Sequence, residues 1–246
     1  MTRTRDVVIV GGGVAGLTAG VFTTRHGLET TVLDSGESIL RRNAHLENVP
    51  GFPAGVSARR FLDLLGEQAE RAGCERELAE VTSVSVAEDG EGFDVETAAG
   101  EDFWADYVIA ATKNTVDYLR GIEGVGFVDR GKTFVDCNEY GETGVDGLYV
   151  AGRLAEKAYQ TVVSAGHGAE VATRLLEADD RPFYHDWVVP GGYFTDRGRD
   201  VPPGCEEIDE AERQRRESEA VELMQARFSE PYPDPPEQHP SVADDD

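Results

Sequence analysis

The glycines of residues 11–16 (GGGVAG) carry the strongest chemical signal of the sequence, and they directly follow an apolar run, residues 7–10. Glycine at position 11 permits a tight turn, glycine at 13 lets a pyrophosphate approach the backbone, and glycine at 16 allows a helix to pack closely on the preceding strand. The amide groups and the positive dipole end of that helix would favour a dianionic pyrophosphate. The spacing therefore predicts a dinucleotide site that includes Gly11, Gly13, Val14, Ala15 and Gly16.

An acidic residue follows the second apolar run, about 20 residues beyond the glycines, where dinucleotide-binding folds place a ribose ligand. Asp34 stands directly after residues 30–33, and its carboxylate can accept hydrogen bonds from both hydroxyls of an adenosine ribose; Ser35 is expected at the same edge. The negative charge would repel a 2′-phosphate, which favours FAD or NAD over NADP. The alternative is an ordinary βαβ unit, in which the glycines form a turn and Asp34 is a solvated residue.

The chain is strongly acidic, with 48 Asp and Glu against 23 Lys and Arg in 246 residues and a net charge of −25. Such a surface repels phosphate-rich partners, so we expect no nucleic-acid partner and no membrane partner. The acidic residues are spread along the whole chain, a pattern typical of proteins in concentrated salt, where screening shortens the repulsion to a few ångströms. The composition predicts halophilic adaptation; an acidic protein of an ordinary cytosol is the alternative.

The three cysteines, Cys74, Cys137 and Cys205, are widely spaced and odd in number, which fits neither a disulfide framework nor a zinc site. We expect a cytoplasmic protein without a membrane span or signal segment and without a metal site. No nucleophile elbow or zinc motif occurs in the sequence, so hydrolysis and metal chemistry lack support. Cys137 is either a redox thiol or a packing residue, and His167 is either a proton donor to the cofactor or an exposed polar residue.

The hydrophobic pattern predicts the elements that would position these side chains. Residues 58–72 have helical spacing, with Ser57 as the N-cap, after a loop rich in Asn, Pro and Gly. Residues 107–111 are almost wholly apolar, which is typical of a strand buried on both faces of a parallel sheet. Residues 148–151 predict a further buried strand. A small β-meander is predicted over residues 81–86, 93–97 and 103–105.

The remaining segments give weaker signals. Residues 112–146 show few periodic features apart from a candidate strand at 133–136, and a helix is predicted over 162–176. A charged helix is predicted over 206–228, with an apolar stripe that either docks on its own domain or binds a partner. The aromatic stretch that precedes it is a lid over the cofactor, an arm that grips another subunit, or ordinary packing; it comprises Phe183, Tyr184, Trp187, Tyr193 and Phe194.

Taken in order, these segments resemble the thioredoxin reductase-like flavoproteins over residues 6–176. The resemblance is carried by GGGVAG with Asp34, NVPGFP at 48–53, YVIAAT at 107–112, GLYVAGR at 147–153 and YQTVVSAGHGAEVA at 159–172. It implies FAD as the cofactor, bound by an α/β, Rossmann-like FAD/NAD(P)-binding domain with a parallel sheet, a β-meander crossover and a C-terminal extension. It also implies cofactor contacts from Asn48, Val81, Ala111, Thr112, Gly152 and Gln160.

Two positions depart from the family pattern. Lys113 stands where the family has glycine, and Arg153 stands where it has aspartate. Arg153 could contact the pyrophosphate as a cation, and beside the flavin it would stabilise the anionic reduced form and raise the reduction potential. Only residues 113–146 occupy the place of the nicotinamide-binding domain, which needs about 100 residues. The chain also has no CxxC pair, so we expect no flavin-to-dithiol relay within it.

The expected organisation is an FAD-binding domain at residues 1–180, built from the halves 1–112 and 133–180. An aromatic and helical extension follows at 181–230, and a disordered acidic tail at 231–246. The expected function is electron or hydride transfer through FAD with an external donor or acceptor, either a small molecule or a carrier protein. The resemblance implies a homodimer. The alternatives are a non-catalytic FAD-binding or scaffold subunit and an NAD-binding dehydrogenase half.

Overall fold

The computed structural model describes residues 2–88, 90–183, 185–239 and 241. The chain divides into two compact units, described separately below. The first comprises the described residues of Met1–Asp179 and Pro236–Asp246, and the second those of Asp180–Pro235.

The first unit is an α/β structure built on one sheet. Its elements are β1 Arg3–Val10, α1 Val14–Arg25, β2 Thr30–Asp34, α2 Ala58–Arg71, β3 Glu75–Leu78, β4 Val81–Val86, β5 Phe93–Thr97, β6 Asp102–Ala110, β7 Phe127–Asp129, β8 Thr133–Val135, β9 Leu148–Val150 and α3 Thr161–Ala178. The strand order is β3-β2-β1-β6-β5-β4, and β9 also pairs with β6. Pairings among β3, β2, β1, β6 and β9 are parallel, whereas β4, β5 and β6 pair antiparallel. The predicted α/β fold with a mainly parallel sheet is confirmed.

One long strand replaces two predicted ones at the centre of the sheet. The sequence pattern separates residues 103–105 from residues 107–111, but β6 runs through both as Asp102–Ala110. The first half of β6 pairs antiparallel with β5, and the second half pairs parallel with β9 on the same side. The change of partner explains the change of pattern, because one half belongs to the meander and the other to the buried parallel sheet.

Several predicted elements differ in their bounds or details. The segment before α2 is not wholly a loop, since Ile39–Arg42 forms a 3₁₀ turn. Ser57 occupies the N-cap position of α2, but its side chain makes no capping hydrogen bond. Strand β3 is absent from the predicted elements, as is β7, which pairs antiparallel with β8.

The core lies on both faces of the sheet. On one face, Ile9 of β1 packs with Leu17 of α1 and Leu175 of α3 in one cluster of buried residues. On the other face, Val8 packs in a second cluster that includes Leu119, from the segment between β6 and β7. Successive residues of a strand point to opposite faces, so residues 7–10 of β1 contribute to both clusters and are buried on both faces.

The second unit contains β10 Trp187–Pro190, β11 Cys205–Ile208 and α4 Glu210–Arg227, and the two strands pair in parallel. Glu207 organises the connecting loop, because its carboxylate accepts backbone hydrogen bonds from Gly192, Phe194 and Thr195. These donors lower the pKa of Glu207 to about 2. Within this unit Trp187, Tyr193 and Phe194 pack edge to face, with ring centroids 5.0–5.9 Å apart. Tyr184 lies outside the described residues.

The helix predicted over 206–228 begins at Glu210, because β11 occupies the residues before Asp209. The side chain of Asp209 caps the helix by accepting a hydrogen bond from the Glu212 amide at 2.8 Å. No residue of α4 is buried, and Val221 of the predicted apolar stripe is 54% exposed. Within the second unit the stripe is therefore not a docked face. Among the described residues, no helix combines the length and the apolar character that a membrane crossing requires.

Candidate cofactor site

A cavity of about 870 Å³ lies at the carboxyl ends of the central strands of the first unit. Its wall includes Gly11 after β1, Asp34 at the end of β2 and Ala111 after β6. Connections from β1 and β6 diverge at this point of the sheet, which is where open α/β sheets bind their ligands. The volume falls within the range of about 300–1,000 Å³ that is usual for cofactor pockets.

The positions of the turn require glycine for different physical reasons. A Cβ on Gly11, whose φ is +111°, would lie 2.7 Å from the carbonyl oxygen of Ala111, and one on Gly16 would lie 2.0 Å from that of Gly11. An added Cβ on Gly13 would have Ser38 Oγ as its nearest neighbour, 3.8 Å away, and both residues line the cavity. Gly11 and Gly16 therefore close the turn, whereas Gly13 leaves room for a ligand to approach the backbone.

The start of α1 presents backbone amides to this cavity. The helix begins at Val14 after the N-cap Gly13, which has no side chain to cap the first turn, and no acidic residue lies in that turn. Val14 and Ala15 line the cavity. Uncapped amides and the helix dipole favour an anion at this end. The arrangement suits the pyrophosphate of a dinucleotide.

Asp34 is oriented by its own turn. Its Oδ1 accepts a hydrogen bond from the Gly36 amide at 3.0 Å. A Cβ on Gly12 would lie 2.4 Å from Oδ2 of Asp34, so only glycine lets the carboxylate approach the turn. Gly12 lines the cavity and is a residue that the sequence reasoning missed, although the run of three glycines was its signal.

Side-chain hydrogen bonds connect distant segments at the other end of the cavity. Asn48 Nδ2 donates to Oε1 of Gln160 at 2.7 Å, which joins the loop before α2 to the residue before α3. The hydroxyls of Thr112 and Tyr118 lie 2.9 Å apart. These four residues line the cavity, so the segments that the sequence separates by more than a hundred residues meet in one site.

The structure brings most of the predicted site residues together. The predicted residues that line the cavity are Gly11, Gly13, Val14, Ala15, Asp34, Ser35, Asn48, Val81, Ala111, Thr112, Arg153 and Gln160. Gly16 and Gly152 do not line it. Gly16 packs α1 on the turn, and a Cβ on Gly152 would lie 2.6 Å from Cβ of Ala15. Both lie behind residues that line the cavity, and their predicted contacts with the cofactor stay predictions.

His167 is buried and does not line the cavity, so the expectation of an exposed polar residue was wrong. Its side chain is buried, Nδ1 accepts a hydrogen bond from the Gly152 amide at 2.9 Å, and Nε2 donates to the carbonyl oxygen of Glu139 at 3.2 Å. Burial, aided by the charge of Lys157, lowers the pKa of His167. The neutral imidazole is a structural link between α3 and the turn after β9.

The two departures from the family pattern lie together at the cavity. Lys113 lines it and adopts a left-handed conformation, with φ at +65°. Arg153 also lines it; its Cζ lies 4.9 Å from the ring centroid of Phe134 and 5.7 Å from that of Tyr159. Burial lowers the pKa of Lys113, and nearby positive charges lower it further. This end of the cavity is basic, in contrast to the acidic surface of the chain.

Other lining residues were not predicted. Arg42 is the last residue of the 3₁₀ turn Ile39–Arg42, where the predicted loop begins, and Ser38 directly precedes that turn. Tyr118 lies in a segment without periodic features. Burial raises the pKa of Tyr118 far above its ordinary value. No sequence signal distinguishes these residues, because their place in the site depends on tertiary packing.

The cysteines take no part in this site. Burial raises the pKa of Cys74 to about 11 and also raises that of the half-buried Cys137, so neither is an activated thiolate. Neither lines the cavity. Among the described residues, no group of His, Cys, Asp or Glu side chains could hold a metal ion.

The fold and the cavity define a dinucleotide-binding α/β protein, and the family model described as "FAD binding domain" matches residues 6–45. FAD is therefore the cofactor that the glycine turn and Asp34 indicate, and the cavity fits it. The solved structure of a thioredoxin reductase from Gloeobacter violaceus superimposes with a TM-score of 0.66 at 18% identity, covering 76% of this chain and 100% of that one. At that identity the likeness concerns the fold.

Curated relatives give the same similarity at the level of sequence. The chain is 35% identical over 117 residues to the bifunctional thioredoxin reductase/thioredoxin of Mycobacterium leprae, covering 47% of this chain and 25% of that protein. It is 27% identical over 190 residues to the thioredoxin reductase of Aquifex aeolicus, covering 76% of this chain and 53% of that protein. The chain thus matches between a quarter and about half of the length of these relatives. It is thioredoxin reductase-like in sequence and fold.

Proposed function

We propose that this chain binds FAD non-covalently and transfers electrons or hydride between the flavin and an external reaction partner. The observation that carries the proposal is the single cavity in which the glycine turn, Asp34, the end of β6 and the segment before α3 converge. FAD, when bound, supplies the reversible acceptance of a hydride or of single electrons.

The residues have separate roles in holding the cofactor. The amides of Gly13, Val14 and Ala15 bind the pyrophosphate, and Asp34 accepts hydrogen bonds from the ribose. Asn48 and Gln160, already joined to each other at 2.7 Å, hold the flavin end. The positive charge of Arg153 favours the reduced, anionic form of the flavin, because opposite charges attract most strongly where water is partly excluded.

The reductant comes from outside the chain in this proposal. The segment between β6 and β9 contains, in the part that the structure describes, the 3₁₀ turn Asp117–Leu119 and the hairpin of β7 and β8. No CxxC pair is present in the sequence. A nicotinamide dinucleotide or a carrier protein is therefore the expected electron donor.

The proposal is tested by the identity and the redox behaviour of the bound ligand. Mass spectrometry of ligand released from the native protein should detect FAD, and the purified protein should show flavin absorbance. Bleaching of this absorbance under anaerobic NADH or NADPH supports an oxidoreductase. Bleaching by dithionite alone, with no reaction towards either nucleotide or a reduced carrier protein, supports the non-catalytic scaffold instead. Release of NAD in place of FAD contradicts the proposal.

A further inference from the structure

Three basic side chains line one end of the cavity, and a fourth acts on one of them from a neighbouring hairpin. Arg42, Lys113 and Arg153 line the cavity, and Lys132 of the hairpin between β7 and β8 acts electrostatically on Lys113 together with them. Tyr159 lies near them: burial raises the pKa of Tyr159, and the charges of Arg153 and Arg42 oppose part of that rise. We call Arg42, Lys113, Lys132 and Arg153 the basic cluster.

In the part of the chain that the structure describes, the charges of the basic cluster are not paired with carboxylates, although the cluster lies at a cavity. Several arginines elsewhere are paired, as Arg3 is with Glu75 at 2.7 Å and Arg174 with Glu142 at 2.7 Å. Within the described residues, no member of the basic cluster makes an ion pair with an acidic side chain. A chain with 48 acidic residues could easily supply such partners. Uncompensated cations that line a cavity attract an anion.

Lys113 adds a second, independent observation. Its φ of +65° places a residue with a Cβ in the left-handed region, which costs conformational free energy and is normally occupied by glycine. Such strain persists where the surrounding structure imposes it, often at functional sites. The side chain also remains in the cavity beside three other cations, which is an electrostatic cost in the absence of an anion. Both costs are offset if the ammonium group binds a negatively charged ligand.

The cofactor does not account for all of this charge. FAD carries two negative charges, both on its pyrophosphate, and the amides at the start of α1 would hold that group. The acidic residues of the cavity wall at the adenosine end, Asp34, Glu37 and Glu80, come from the end of β2 and the connection to β4. Glu47 also lines the cavity, and its carboxylate lies 2.8 Å from Nδ1 of His45. The four positive charges of the basic cluster therefore exceed the negative charge of the cofactor that is left for them to neutralise.

We propose that the basic cluster binds a phosphate group of the external reaction partner while FAD occupies the cavity. The inference rests on the proposed function, since it assigns the chemistry of the second ligand at the same site. Lysine and arginine are the side chains that bind phosphate by charge-assisted hydrogen bonds. The phosphate belongs either to a nicotinamide dinucleotide or to another phosphorylated reactant.

Calorimetric titration of the FAD-loaded protein with inorganic pyrophosphate at low ionic strength tests the proposal. Lys132→Gln and Lys113→Gly should each weaken pyrophosphate binding about tenfold, the loss expected for one charge-assisted hydrogen bond. Arg130→Gln is the matched control, because Arg130 lies on the same hairpin but pairs with Glu156 at 3.0 Å. It removes the same charge and should change the affinity less than twofold. Lys113→Gly should also raise the melting temperature, because the backbone strain is relieved.

The outcomes separate this inference from the proposed function. If Arg130→Gln weakened pyrophosphate binding equally, the loss would reflect net charge alone. That result would overturn the assignment of a phosphate site to the basic cluster. Pyrophosphate binding to the apoprotein alone, abolished by FAD, would show that the basic cluster serves the cofactor and would overturn it as well. If the protein takes up no FAD, the proposed function fails, but the same variants still decide whether the basic cluster binds an anion. Parallel titrations with NADH, NADPH and inorganic phosphate then distinguish a dinucleotide from another phosphorylated ligand.

Discussion

Gly13 and Gly16 are three residues apart in the same turn, yet the structure requires glycine at the two positions for different reasons. Gly13→Ala adds a methyl group in open space, with Ser38 Oγ as the nearest atom at 3.8 Å. The fold should therefore lose about 1 kcal/mol or less, as expected for an N-cap change. FAD affinity should fall at least about tenfold, because the methyl group blocks the pyrophosphate from the amides. Fluorescence titration of apoprotein with FAD measures the affinity.

Gly16→Ala is the informative comparison for this prediction. Its Cβ would lie 2.0 Å from the carbonyl oxygen of Gly11, so the turn itself must move. A loss of about 1–3 kcal/mol in unfolding free energy is expected together with the loss of FAD. An unchanged FAD affinity of the Gly13→Ala protein would contradict the placement of the pyrophosphate, and equal destabilisation by both substitutions would contradict the distinction between them.

Arg153 is expected to tune the cofactor as well as to bind an anion. Arg153→Met keeps an apolar stem beside the ring of Phe134, which lies 4.9 Å from the guanidinium carbon, but removes the charge. The two-electron reduction potential of bound FAD should fall by on the order of 20 mV, which corresponds to the loss of about 1 kcal/mol of attraction to the reduced, anionic flavin. Spectroscopic redox titration measures it, and Arg130→Gln should leave the potential unchanged. An unaltered potential in the Arg153→Met protein rejects the idea.

At the scale of elements, His167 connects α3 to the turn that follows β9. Its imidazole is buried and neutral, and its pKa is lowered by that burial. As the pH falls through about 6.5, the imidazole is therefore protonated in the unfolded chain, whereas in the folded chain it stays neutral to lower pH. Stability should be complete above that pH and decline as the pH falls below it, by at most about 1.4 kcal/mol per pH unit for this one proton.

His167→Gln isolates this effect, because an amide can still accept from the Gly152 amide and donate to the carbonyl of Glu139 but does not titrate. Denaturant unfolding at pH 8.0, 6.5 and 5.5 should show a smaller loss of stability in the variant than in the natural protein. Parallel losses in the two proteins would assign the acid sensitivity to other groups. A large loss of stability at pH 8.0 would show that the amide does not replace the imidazole.

Elements whose pattern is local could be predicted from the sequence, and those that depend on distant partners could not. The apolar run before Gly11 specifies a buried strand and the glycines specify the turn after it. Strand β3 reads EREL, which has no apolar alternation, and its place at the sheet edge depends on ion pairs such as Arg3 with Glu75. Tyr118 enters the site through its hydroxyl contact with Thr112, a tertiary contact without a sequence pattern.

The same limit explains the errors within predicted elements. Residues 102–110 carry two patterns because β6 changes partner along its length, and the sequence alone presents this as two strands. His167 lies between two glycines, which is typical of an exposed turn. It is buried because a Cβ on Gly168 would lie 2.2 Å from the carbonyl oxygen of Ala15, so α3 packs closely on α1 at this point. Helix packing of this kind depends on residues more than a hundred positions apart.

On the scale of the whole molecule, the charge is unevenly distributed. The net charge of −25 follows from the composition, but the basic cluster at the cavity, which is a local exception to it, does not. Many surface carboxylates pair with arginine, for example Glu210 and Glu217 with Arg213 on α4. With about twice as many acidic as basic residues, much of the negative charge must remain uncompensated. Repulsion among these carboxylates opposes the compact state.

Added salt should therefore stabilise the protein, as the predicted halophilic adaptation requires. Raising KCl from 0.1 M to 1 M shortens the Debye length from about 10 Å to about 3 Å. The melting temperature should rise by on the order of 5 °C, equivalent to roughly 2 kcal/mol for a chain of this size. Most of the rise due to screening should occur below about 1 M, because the Debye length is already about 3 Å at that concentration. Near pH 4, where Asp and Glu side chains titrate, the effect should shrink. A melting temperature that is flat up to 1 M at pH 7 would contradict the halophilic interpretation.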